Sequence, residues 1–201
     1  MCIKYIFLLL YFPFLLVADM PLQDQNLSYI SNDPLPAWVT DTSFSLEPPS
    51  AHPSQVNEQN LLIDTQYHLE EKTCFTHRVS KALTQRGVDS LSQLRFYFDP
   101  SYEQLIIHKI QVYRDGEWSD RMQTSTSKIL QREQQLESGL YNGDLCLVYF
   151  LDDIRVGDIV EDACSFKGEN PIFSSHFTRI FSLQGKASTE KIHYRIFGHP
   201  S

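Results

Sequence analysis

Four cysteines, seven histidines and the acidic pairs Asp152-Asp153 and Glu161-Asp162 are the residues with the chemistry to act on a substrate. A cysteine nucleophile needs a histidine base within reach and surroundings that lower its pKa. Cys74 and His77 are close in sequence, but three positions apart on a strand they point to opposite faces. Cys146 and Cys164 lie in apolar extended runs, where burial opposes thiolate formation. The histidines, at 52, 68, 77, 108, 176, 193 and 199, have no close ligand spacing, and no Cys-x-x-Cys accompanies them. A metal site would have to be assembled from separate strands. Asp152-Asp153 and Glu161-Asp162 offer acid–base or calcium chemistry, but such pairs more often serve turns and loop-end solvation. There is no Gly-rich phosphate loop, no Gly-x-Ser-x-Gly elbow and no basic patch interleaved with aromatics. A net charge of -8 lacks the basic footprint of a nucleic-acid partner. The sequence therefore assigns no catalytic, metal or cofactor residue.

The elements that would carry these residues are extended. The organising stretch is residues 144–171. Leu145, Leu147, Tyr149 and Leu151 share one face of a strand and Cys146, Val148 and Phe150 the other, the pattern of a central strand. Gly157-Asp158 punctuates the chain, and Val160, Cys164 and Phe166 resume the period. Upstream, Leu61, Ile63, Tyr67 and Leu69 recur at even spacing, Glu70-Glu71-Lys72 turns the chain, and Phe75 and Val79 share a face of a returning strand. Residues 85–94 read as a short helix with Asp89 or Ser90 as its cap, and residues 95–98 as a short strand ended by Asp99-Pro100. Residues 103–113 form a strong strand placing Ile106, Ile110 and Val112 together, and Asp115-Gly116 is a two-residue hairpin signal returning through Trp118. Residues 127–139 fit an edge strand or a loose helical turn. Asn142-Gly143 is a second tight turn. Phe173, Phe177, Phe181 and Leu183 share the parity of a further strand, and Ile192, Tyr194 and Ile196 that of a last one. The expected class is mainly β, with at most one or two short helices.

Ahead of this domain, residues 1–18 have the charged start and apolar run of an export signal, too short to span a bilayer comfortably. Left uncleaved, the run would be a membrane anchor. Residues 19–60 read as a disordered Pro-rich tether, with Pro36-Ala37-Trp38-Val39 as an island that docks onto the domain. Asn26-Leu27-Ser28 fits a glycosylation sequon. Without the signal, Cys74, Cys146 and Cys164 remain; one disulfide with a free thiol and three buried thiols are both open.

From residue 61 onward the chain resembles the domain of unknown function that precedes transglutaminase-like domains in exported bacterial proteins. The likeness rests on Leu94-Arg95-Phe96-Tyr97-Phe98-Asp99-Pro100, Val112-Tyr113-Arg114-Asp115-Gly116, Gly139-Leu140-Tyr141-Asn142-Gly143, Val156-Gly157-Asp158-Ile159-Val160-Glu161 and Glu169-Asn170-Pro171. The resemblance implies an antiparallel β-sandwich over residues 61–201 without catalytic residues of its own. It makes Asp115, Gly116, Gly157, Asp158, Glu161, Asn170 and Pro171 structural motif residues. It also implies that the Cys, His and Asp of the associated enzyme lie outside this sequence, which could be the N-terminal part of a longer protein.

The expected function is a non-enzymatic, exported module, periplasmic or extracellular, that binds or positions a protein or peptide partner in the cell envelope. The alternative is the accessory module of a transglutaminase-like cysteine peptidase or transferase, that domain being its partner. A carbohydrate-binding sandwich, resting on tyrosines and Trp118, is a third reading. No cofactor and no nucleic acid are expected, and membrane contact only through an uncleaved signal.

Overall fold

The computed structural model describes residues 30–47, 56–131, 143–173, 177–183, 185 and 187–198. The expected export signal, the sequon and His52, His176 and His199 lie outside them. The strands are β1 (Ile30–Asn32), β2 (Glu58–His68), β3 (Thr73–Ala82), β4 (Gln93–Phe98), β5 (Gln104–Arg114) and β6 (Glu117–Asp120). They continue as β7 (Thr126–Gln131), β8 (Leu145–Phe150), β9 (Ile159–Lys167), β10 (Ser188–Thr189) and β11 (Ile192–Phe197), and the helix α1 spans Gln85–Leu91.

The larger sheet runs β1-β5-β9-β3-β2, with β10 and β11 both on the far side of β2 and β6 against β5; β4-β8-β7 form a smaller antiparallel sheet. The expected mainly β architecture of two sheets is present. Parallel pairings of β1 with β5, and of β10 and β11 with β2, make the larger sheet mixed. At the β5–β6 hairpin Asp115 (φ 52) and Gly116 (φ 92) take the positive φ values that such a turn demands. β8 is the middle strand of the smaller sheet, and Cys146, Leu147, Val148 and Tyr149 are buried on both its faces.

One face of the larger sheet packs on the smaller. Leu105, Ile107, Ile110, Val112, Val160 and Cys164 meet Leu94, Phe96, Phe98, Leu147 and Tyr149 there, with the Phe96 and Tyr149 rings edge to face at 6.2 Å. Ile106 was expected inside with Ile110 and Val112, but it is only half-buried. The register of β5 against β9 shifts between Ile107 and Lys109, so the inward phase changes from odd to even across a bulge. A second shift, between Asn60 and Leu62, lets Leu61 and Leu62 both bury completely while Ile63 and Tyr67 stay half-buried.

The opposite face carries a third layer. Residues 30–47 fall within the segment read as a disordered tether, yet they are built into the fold, because β1 joins β5 and the chain then crosses the sheet. From Asp41 to Glu47 exposure alternates, with Thr42, Phe44 and Leu46 turned toward the sheet. Phe44 and Leu46 pack on Leu61, Leu62, Val79 and Ile159, where Tyr113 and Trp118 complete a second small core. Trp38 docks as expected, edge-on to His68 at 5.3 Å.

Other expectations need correction. The helix is capped by Thr84, whose hydroxyl accepts from Gly87 N, so Asp89 and Ser90 lie inside α1. Phe173 does not begin a strand. Pro171–Phe173 is a 3-10 turn and residues 177–183 are irregular. Phe177 and Phe181 set their rings against Tyr67 instead of pairing in a ladder, at 5.2 and 6.1 Å. The ambiguous residues 127–139 begin as the edge strand β7, and their continuation lies outside the described residues. Gly143 has φ 72, but its expected turn partner Asn142 also lies outside them.

Candidate functional site

Cys74 and His77 occupy opposite faces of β3, as their spacing requires. Cys74 stands across from Tyr67, while His77 bonds Glu161 on the other face. Burial pushes the Cys74 thiol up to about 11 and the Cys164 thiol, 3.1 Å from Thr76 Oγ1, up to about 12. Cys74, Cys146 and Cys164 all carry thiols. Among the described residues no three His, Cys, Asp or Glu side chains converge as a metal ion would need, and no helix is long and apolar enough to cross a membrane.

The motif residues separate into three places along β9. At its start, Arg114 forks onto Asp158, with Nε to Oδ1 at 2.9 Å and Nη2 to Oδ2 at 2.6 Å, and reaches Asp153 Oδ2 at 2.8 Å and the Asp153 carbonyl. The guanidinium thus ties the Asp115-Gly116 hairpin to the loop at residues 152–158. Hydrogen bonds from Arg114 and Arg155 hold the Asp153 carboxyl below its ordinary value. Gly157, at φ 98, donates to Ala82 O at 2.8 Å, and Asp158 O accepts from Ala82 N at 2.9 Å, which anchors the loop to the end of β3. At the far end of β9, Asn170 Oδ1 accepts from Ile172 N at 3.0 Å and so starts the turn at Pro171.

Glu161 lies between these ends. Neither acidic pair offers two carboxylates together to a substrate: Asp153 is engaged by arginines, and adjacent strand residues face opposite ways, so Asp162 pairs with Arg78 while Glu161 looks to the other side. Glu161, 4% exposed, meets His77 Nε2 at 2.8 Å, Lys109 Nζ at 3.1 Å and Gln111 Nε2. Burial works to raise its carboxyl, but the contacts from His77, Gln111 and Lys109 outweigh it and hold the group down at about 2.

Beside Glu161 a polar row continues across β2 and β11 beneath residues 38–44. Asp64, 1% exposed, accepts from Gln66 Nε2 at 2.8 Å and lies 2.8 Å from His193 Nδ1. Thr42 Oγ1 lies 3.2 Å from that same ring nitrogen. Asp, His and Thr here do not form a relay, which requires the hydroxyl on one imidazole nitrogen and the carboxylate on the other. The amide of Gln66 reads the backbone of Thr40 in both directions, accepting from its N–H at 3.0 Å and donating to its carbonyl at 2.7 Å. Arg195 Nη1 donates to Trp38 O at 2.8 Å and Thr40 Oγ1 at 2.7 Å, and Lys191 Nζ to Ser43 O at 2.7 Å. A partly open pocket of about 100 Å³ remains between the segment and the sheet, lined by Val39, Thr42, Asp64, Phe75, His77 and Lys109.

Sequence reading missed this row. Its signal was a polar residue at every second position of otherwise extended segments, Asp64-x-Gln66-x-His68 and His193-x-Arg195. Trp118, part of the basis of the carbohydrate reading, packs against Tyr113 with ring centroids 5.2 Å apart and the rings tilted by 53°, at the second core.

On the other face, at the β2–β11 end, Ile180 and Leu183, which flank Phe181, are 94% and 77% exposed, and Ile196 of β11 is half-exposed. Arg179 lies over the Tyr67 ring at 5.7 Å, and Phe181 meets Tyr194 at 4.6 Å. Among the described residues β11 pairs only with β2, and none pairs with its outer edge.

No curated protein matches the chain. Among solved structures it is similar to a "putative protease" from Parabacteroides distasonis ATCC 8503, at 12% identity and a TM-score of 0.47 over 56% of this chain. It spans only 23% of that protein's length. A family model described as Domain of Unknown Function with solved-structure structure (DUF3857) matches residues 70–200, well over half of the sequence, and the chain belongs to that family.

Proposed function

We propose that this chain is a non-catalytic module, exported to the periplasm or beyond, that binds or positions a protein or peptide partner in the cell envelope. The export reading rests on the character of residues 1–18. The binding reading rests on the outer edge of β11, with which none of the described residues pairs, and on the exposed Ile180, Leu183 and Ile196. An unpaired strand edge is a template for strand addition, and exposed apolar side chains beside it supply contact area.

The second reading makes the partner a transglutaminase-like domain, so that the module serves an enzyme it does not itself contain. The motif resemblance around Gly157-Asp158 and Asn170-Pro171 suggests it, and the bulk of Ile180 and Leu183 suits the surface of a folded domain.

A photo-cross-linking residue in place of Ile180 in the full chain, expressed in its native envelope, tests both. The binding reading expects a discrete cross-linked polypeptide that is lost when Leu183→Asp and Ile196→Lys are added. Cross-linking no stronger than from a probe at Leu130, exposed on the smaller sheet, refutes it. A cross-linked species carrying a transglutaminase-like domain selects the second reading.

A further inference from the structure

Residues 38–44 are held to the larger sheet as a bound peptide is held. Four main-chain groups, Trp38 O, Thr40 N, Thr40 O and Ser43 O, are met by side chains of β2, β11 and the residue before β11, namely Gln66, Arg195 and Lys191. Recognition through the main chain constrains conformation more than sequence, which is how sheet surfaces accept extended ligands. The side-chain contacts add a pattern. Trp38 lies in the turn that Val39 N closes on Pro36 O at 3.0 Å and Thr40 is exposed; beyond it the chain extends and turns Thr42 and Phe44 toward the sheet. Trp38 meets His68, Thr40 Oγ1 accepts from Arg195, Thr42 meets His193, and Phe44 meets His77 at 6.1 Å.

The fit is looser than the core. A partly open pocket of about 100 Å³ lies beneath the segment, and Trp38 Nε1 is buried without an acceptor among the described residues. A buried, unpaired donor subtracts from the free energy of docking. The sheet side, by contrast, is held independently of the segment. Asp64 with Gln66, and Glu161 with His77, Lys109 and Gln111, bond among themselves and need no arm.

We propose that this face is a binding site for a peptide that turns and then extends across the sheet, with residues 38–44 as its tethered resident. A second polypeptide segment of the form aromatic-x-Ser/Thr-x-Ser/Thr-x-aromatic takes the site when the resident lifts. The inference deepens the reading of the chain as a binding module but uses the face opposite Ile180. Loss of cross-linking at position 180 with peptide binding retained would therefore separate the two.

The test uses the full chain carrying Trp38→Ala and Phe44→Ala, and a fluorescent peptide of residues 36–46 as probe. Anisotropy should show saturable binding to this variant, at least tenfold weaker binding to the wild-type chain, whose resident competes, and at least a tenfold loss when Arg195→Ala is added. No saturable binding, or binding indifferent to Arg195→Ala and to scrambling the peptide, overturns the proposal. Binding that appears only as the variant dimerises, followed by sedimentation, overturns it in favour of arm exchange between copies. Hydrogen exchange on the wild-type chain guards against a variant that fails to fold. The Thr40 amide should exchange at least 100-fold faster than that of Val79 in β3. Equal rates would mean that the arm opens only with global unfolding, and would equally overturn the proposal.

Discussion

Replacing Glu161 with Gln tests whether its buried carboxylate is stabilised by its neighbours or merely tolerated. The substitution keeps the shape and removes the charge that Lys109 and His77 approach. The carboxyl titrates near 2 in the folded chain against an ordinary value of 4.5. That difference, at about 1.36 kcal/mol for each tenfold change in proton affinity, amounts to about 3 kcal/mol. A carboxyl whose folded pKa is depressed stabilises the fold above its unfolded value and loses that contribution as pH falls toward the folded one. The wild-type advantage over Glu161→Gln should therefore be full at pH 6, shrink below pH 4.5 and reach roughly 1 kcal/mol at pH 3. Any constant difference from the altered hydrogen bonds with Gln111 adds an offset without pH dependence. Urea unfolding of both proteins at pH 6, 5, 4 and 3 measures the gap directly, and other acid-sensitive groups largely cancel between them. A gap equal at pH 6 and pH 3 would refute the reasoning, because it would mean that the cluster does not favour the ionised form.

Ile107→Ala should cost about 2–5 kcal/mol and Ile106→Ala distinctly less, since only Ile107 is fully buried; equal losses in urea unfolding would deny the bulge in β5. Asp158→Asn removes the charge from a partly exposed, forked pair with Arg114 and should cost about 1.5–3 kcal/mol, with Arg114→Lys costing a similar amount because an ammonium cannot fork; thermal or urea unfolding of both variants checks it. A Cys74 thiol raised from 9.0 to about 11 should be about 100-fold poorer in thiolate at neutral pH; the greater nucleophilicity of the less acidic thiolate offsets part of this, so labelling by a disulfide reagent, read by peptide mass, should be at least about tenfold slower in the native chain than in urea.

The parts of this fold that were legible in the sequence are those set by local rules. Asp115-Gly116 required its hairpin because few residue pairs accept two positive φ values, and Leu145 to Phe150 required a middle strand because both of its faces are apolar. The opposite facing of Cys74 and His77 followed from the strand period alone. What escaped was set by pairing between distant segments. The bulges near Leu61 and His108 arise where strands of unequal phase meet, and no local residue announces them. Residues 177–183 carry the parity of a strand but find aromatic partners before a backbone partner. Residues 30–47 are rich in proline and polar groups, and their order comes from pairing with β5, from a small apolar core and from a polar row on β2 and β11, all far away in sequence.

That dependence has a consequence for biosynthesis. β11 pairs in parallel with β2 across a separation of 129 residues, as between His193 and Asp64. Contacts of such reach close late, because the loop entropy is spent before the pairing returns it. Until β11 emerges from the ribosome, one edge of β2 stays open on the nascent chain and is a point of vulnerability to misassociation. The fasteners of the arm, Lys191, His193 and Arg195, arrive at the same moment. Residues 38–43, though synthesised early and preceded by a strand that pairs with β5, are thus among the last to be secured, and a chaperone guarding this chain would be needed longest at the edge of β2.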